Sequence, residues 1–157
     1  MSSLITLAGI ILTGGVAVFG YLHTSRASRR ERMAQVLAQA ISAVGDYEDL
    51  PYRVRRRPSA DPAVRSGLSE KVSDIHARLD FHSAWLRITA PDVAVAYDHL
   101  VAEARREVGD HIKHAWLQPI MERDEEMNLG LGARYQCRDT AAARDACIEV
   151  MRTYLRS

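Results

Sequence analysis

The chain has 157 residues, 21 basic and 20 acidic side chains and a formal net charge of +1, enough for one domain with a real core and too little for two of ordinary size. No ordered basic face with aromatic partners is visible, so composition speaks against a nucleic-acid binder. The charge is nonetheless uneven: Arg26 to Arg65 holds nine arginines against five acids, whereas Ser66 to Ser157 holds twelve basic and fifteen acidic residues.

Leu4 to Leu22 reads LITLAGIILTGGVAVFGYL without a formal charge, and as a helix it would be roughly 28 Å long, close to a bilayer core. Lipid leaves no water for backbone groups, so a lone apolar segment of this length is expected as a helix. A cleaved secretory signal would need a basic start and a shorter apolar core; Met1, Ser2 and Ser3 carry no charge. The basic residues follow instead, as Arg26, Arg29, Arg30 and Arg32. The positive-inside rule then places the N-terminus outside and the C-terminal part in the cytoplasm, next to an anionic inner leaflet. Gly9, Thr13, Ala17 and Gly20 give the anchor a small-residue packing face, suited to close approach of a second membrane helix.

Beyond the anchor, Met33, Val36, Leu37, Ala40, Ile41 and Val44 recur at helical spacing, so the pattern predicts one helix from Leu4 to Val44, amphipathic over residues 23–45 and stopped at Gly45. The stripe must be covered by the rest of the chain, a twin helix or a partner. Residues 46–66 break the period with Pro51, Pro58 and Pro62 and carry Arg53, Arg55, Arg56 and Arg57. They read as a linker whose arginines face solvent, lipid headgroups or an anionic partner.

The cytoplasmic domain, residues 67–157, is expected to be a small all-α bundle built on an antiparallel hairpin. Its first helix starts near Ser69, with Leu68, Val72, Ile75, Leu79, His82 and Leu86 on one stripe and Phe81, Trp85 and Ile88 on another; two apolar faces predict a central helix. Thr89 is the expected cap of the next helix, which carries Val93, Tyr97, Leu100, Val101, Ala104, Val108, Ile112 and Ala115 to about Gln118. Ile120 to Cys137 reads as a loop, and Asp139 with Thr140 as the cap of a last helix bearing Ala143, Cys147, Val150, Met151, Tyr154 and Leu155. In a reducing compartment Cys137 and Cys147 are expected as free thiols.

For chemistry the only constellation is His76, Asp80, His99 and Glu103, which a tight hairpin with facing numbers summing to roughly 179 would bring together. Two histidines and two carboxylates on facing helices can bind metal. Against this, His99 and Glu103 sit away from the apolar stripe and no Glu-x-x-His pair occurs on either helix. His111 and His114 fit no role. No nucleophile elbow, zinc-protease motif, phosphate loop or paired-cysteine motif occurs, and no cofactor is implied. The sequence therefore reads as a single-pass membrane protein whose helical domain is a non-enzymatic interaction or scaffold module, its partners the bilayer and either another protein or a second copy. The alternatives are a tethered metal protein or enzyme using the hairpin rim, and a sensor of anionic lipid or nucleic acid through Arg53 to Arg57.

Overall fold

The computed structural model describes residues 28–121 and 135–157, and its chain divides into two units, Met1–Leu37 and Ala38–Ser157. All regular structure among the described residues is helical: α1 (28–48), α2 (Leu50–Arg55), α3 (Pro62–Thr89), α4 (Pro91–Leu117) and α5 (Arg138–Arg156). None of these helices is long and apolar enough to cross a membrane. The expected anchor at 4–22, with Gly9, Thr13, Ala17 and Gly20, lies outside the described residues, as does Arg26. In the first unit the described residues 28–37 are helical, with Arg29, Arg30 and Arg32 exposed, Met33 and Val36 half-buried and Leu37 buried.

The stripe continues in the second unit, where Ala40 and Val44 are fully buried and Ile41 is half-buried. Gly45 does not stop the helix. It sits inside α1 and its carbonyl accepts the Asp49 amide at 3.1 Å, because burial of Val44 and Tyr47 on either side outweighs the roughly 1 kcal/mol that glycine costs a helix interior.

Residues 46–66 are largely helical rather than an irregular linker. Pro51 lies in the first turn of α2, and Pro62 opens α3 seven residues ahead of the expected start at Ser69. Pro91 likewise opens α4. Proline in a first turn loses no hydrogen bond and presets the helical φ, so prolines read as breaks are here helix starts. Thr89 caps nothing downstream: it is the last residue of α3, its Oγ1 donates to the Trp85 carbonyl at 2.9 Å, and the chain turns at Ala90 (φ −151°, ψ 69°).

The hub is α4, not α3. It packs against α2, α3 and α5 and buries Val93, Tyr97, Leu100, Val101, Ala104, Val108 and Ala115. Facing it are Val44 and Tyr47 of α1, Leu50 and Val54 of α2, Ile75, Leu79, His82 and Leu86 of α3, and Ala143, Cys147 and Met151 of α5. Tyr97 is fully buried and donates from its hydroxyl to the Ala40 carbonyl of α1 at 3.2 Å; burial pushes its titration well above the ordinary tyrosine range. The second stripe of α3 has no such cover. Phe81 and Ile88 are 61% and 82% exposed, and Trp85 is half-buried.

Candidate functional site

The hairpin of α3 and α4 is bridged at its surface by two ion pairs. Arg105 donates to Asp80 at 2.6 Å, and Arg87 grips Asp98 through Nε at 2.9 Å and Nη2 at 2.7 Å. In both pairs the residue numbers sum to 185, six more than the roughly 179 expected of facing residues.

This register separates the histidine and carboxylate candidates. His76 meets the Tyr47 ring edge-on at 5.2 Å, Asp80 is taken by Arg105, and Glu103 lies 4.0 Å from His99 while accepting from Arg106. Burial and the nearby Arg105 hold the His76 ring below its ordinary pKa, with Asp80 opposing them. No group of three or more histidine, cysteine or acidic side chains suited to a metal occurs among the described residues.

The arginine run is divided between inside and outside. Arg55 and Arg57 are each 7% exposed. Arg55 Nη1 donates to the Pro119 carbonyl at 2.6 Å; Arg57 Nη2 donates to Gln118 at 2.7 Å and its Nη1 to Val54 at 2.9 Å and Ala115 at 3.3 Å. The Arg57 guanidinium also lies 5.3 Å from the centre of the Trp116 ring. Arg57 therefore caps carbonyls at the end of α4, where the helix dipole favours a cation, and Arg55 holds the chain just beyond it. Arg53 pairs with Asp49 at 2.7 Å, and of the four only Arg56 is exposed.

At the other joint, the N-terminus of α5 is capped from another helix. Glu107 of α4 accepts from the Thr140 amide at 2.9 Å, the Thr140 hydroxyl at 2.7 Å and the Asp139 amide at 3.2 Å. Neither Asp139 nor Thr140 caps its own helix; N-cap is Cys137. Burial would raise the Glu107 carboxyl, but the hydrogen bonds from Thr140 and Asp139 hold it below its ordinary value. Arg144 pairs with Glu48 beside this joint. Cys137 and Cys147 are free thiols, both pushed up to about 11 by burial, with Glu107 and Glu48 adding to the effect at Cys137. Protonated thiols make poor nucleophiles at neutral pH.

Between the two ion pairs lies an open groove of about 450 Å³, lined by Asp80, Ala84 and Arg87 of α3 and Asp98, Ala102 and Arg105 of α4. Its charges alternate from corner to corner and Ala84 and Ala102 are exposed along it. A shallower depression of about 420 Å³ lies at the far end of α5, between Asp92, Glu149, Val150 and Tyr154. Neither holds a nucleophile beside a positioned base, so both suit recognition rather than covalent chemistry. Sequence reasoning missed the groove, although its signal is present twice: DFHSAWLR at 80–87 and DHLVAEAR at 98–105 both place Asp, Ala and Arg at i, i+4 and i+7, one face of a helix. Comparison with known proteins finds no matching family model, no matching curated protein and no matching solved structure.

Proposed function

We propose that this protein is a membrane-tethered interaction module, with the apolar segment at 4–22 as tether and the outer face of the α3/α4 hairpin as its binding surface. The observation that carries the reading is the exposure of Phe81 and Ile88, at 61% and 82%, on a helix whose opposite face is buried in the core. Val95 of α4, 74% exposed, extends the same side. Large apolar side chains grouped and rimmed by charge mark a contact surface. The flanking Arg–Asp pairs supply the polar rim of such a surface.

The tether rests on the sequence alone: an uncharged stretch of bilayer length, followed by Arg26, Arg29, Arg30 and Arg32. Two measurements test the two halves. The full chain should stay with the membrane pellet through alkaline carbonate, and a C-terminal tag should be digested by protease added to sealed inverted vesicles; a protected tag overturns the orientation. A photoreactive residue introduced at Ile88 should give a discrete adduct in those membranes. An adduct at exposed Arg56 but none at Ile88 would place the binding surface elsewhere.

A further inference from the structure

We propose that the partner of the α3/α4 face is a second copy of this chain, stacked so that α3 of one copy runs antiparallel over α3 of the other and the two hairpins form a four-helix layer pair. The inference rests on the interaction-module reading and names its partner. Three features of the groove carry it.

The first is charge. Along α3 the order is Asp80 then Arg87, and along α4 Asp98 then Arg105, each acid seven residues ahead of its base. A two-fold axis lying in the face, perpendicular to the helices and passing midway between the pairs, sets Asp80 over the second copy's Arg87 and Asp98 over the second copy's Arg105. Every acid meets a base, without any change to the pairs within each hairpin. Asp80 and Arg87 are the freer to share, each with its side chain 66% exposed, while Arg105 is 41% and Asp98 32% exposed. A self-complementary patch is what an isologous interface requires.

The second is the floor. Ala84 and Ala102 occupy the centre of the groove and are exposed, which lets two helix backbones come close, as small residues at a crossing do. The third is the apolar flank. Phe81 and Ile88 lie three residues before and four after Ala84, so they are its neighbours on the helix surface. The axis proposed brings this flank onto the same flank of the second copy. Turning the copy about an axis parallel to the helices would also match charges, but would lay Phe81 and Ile88 against the outer side of α4, with its His99, Glu103 and Arg106. Apolar burial selects the first arrangement.

The test uses the full chain in membranes and in detergent micelles. Ala84→Cys should form a disulfide-linked dimer under mild oxidation, with the unsubstituted chain as control for Cys137 and Cys147. Exchanging Arg87→Asp together with Asp98→Arg keeps the ion pair within the hairpin but sets acid over acid and base over base between copies, so self-association measured by sedimentation should weaken about tenfold or more. Adding Asp80→Arg and Arg105→Asp inverts every charge and should restore it. The proposal is overturned if the chain is monomeric, if the two-residue exchange leaves the dimer as strong as before, as it would for association through the 4–22 segment or the Met33 to Val44 stripe, or if Ala84→Cys links only to Ala102→Cys. A monomer that still gives an adduct with another protein at Ile88 would end this proposal and leave the interaction module standing. A charge-sensitive dimer that is not retained by membranes would uphold this proposal and the binding surface and end only the tether.

Discussion

Arg57 shows how far a residue's role depends on what its neighbours leave unsatisfied. Its guanidinium reaches the carbonyls of Ala115 and Gln118, which α4 cannot pair for itself. Arg57→Ala should destabilise the domain by about 2–4 kcal/mol, because buried carbonyls lose a charged donor. Arg57→Lys should recover little, since an ammonium lacks the planar fork, and exposed Arg56→Ala should stay within about 0.5 kcal/mol. Chemical denaturation of the three variants measures this. Glu107 is the mirror case, an acid at a helix start. Glu107→Gln should cost about 1 kcal/mol by weakening the cap on Asp139 and Thr140. Its folded pKa is depressed, so its contribution is fully present above the unfolded carboxyl value of about 4.3 and disappears as pH falls through the lower folded value; stability of the Gln variant should lack that part of the acid slope. His82 acts at higher pH. It is 6% exposed, its Nδ1 finds no hydrogen-bond partner among the described residues, and burial with Arg78 nearby lowers its pKa. The unfolded chain therefore binds the proton more readily, and stability should fall as pH drops below about 6.5. His76 titrates in the same direction. Replacing His82 by Phe and His76 by Gln should flatten the thermal midpoint between pH 7 and 5, and an unchanged slope would assign the effect to other groups.

At the scale of elements, the sequence was informative where apolar spacing was the cause and silent where a distant partner was. The stripes of α4 and α5 indicated most of their buried residues, with Tyr97, Cys147 and Met151 inside and Ile112, Val150, Tyr154 and Leu155 half-buried, because a 3.6-residue period states directly which side faces the core. The starts of α2 and α3 were not read, since Pro51 and Pro62 break a helix interior and open a helix equally well. No local pattern could reveal that Glu107, more than thirty residues away, caps α5, or that Arg55 and Arg57 turn inward. The charged rim of the hairpin is legible, but the facing-sum rule puts Asp80 beside His99, whereas its ion-pair partner is Arg105. Glycine gives a prediction at this scale. Gly45 and Gly67 lie inside α1 and α3, and a Cβ built on either meets nothing within 4 Å. Gly45→Ala and Gly67→Ala should therefore each stabilise the domain by about 0.5–1 kcal/mol, chiefly by restricting the unfolded chain, which a rise in thermal midpoint would register.

For the whole molecule, the consequence of a hub is an uneven distribution of stability. Since α4 touches α2, α3 and α5, it cannot open without uncovering the cores of all three. Among the described residues nothing comparable holds the first half of α3, where over residues 62–74 Val64, Gly67, Leu68 and Val72 are half-buried, the rest are exposed and the first buried position is Ile75. Helical segments with no fully buried side chain sit near their own coil equilibrium, so their amides open locally at small free energy. Native-state hydrogen exchange should accordingly show two classes: amides of residues 65–73 exchanging through fraying, insensitive to mild denaturant, and amides of 97–112 exchanging only with global unfolding. Leu100→Ala, at a fully buried site in α4, should lower the global class by about 2.5–5 kcal/mol and leave the fraying class unmoved. Leu68→Ala, at a half-buried site in α3, should do the opposite, speeding local exchange with under about 1 kcal/mol of global effect. If residues 65–73 instead exchanged with the global class, this half of α3 would have to be covered in solution by something other than the described residues, and exchange measured against protein concentration would show whether a second copy supplies the cover.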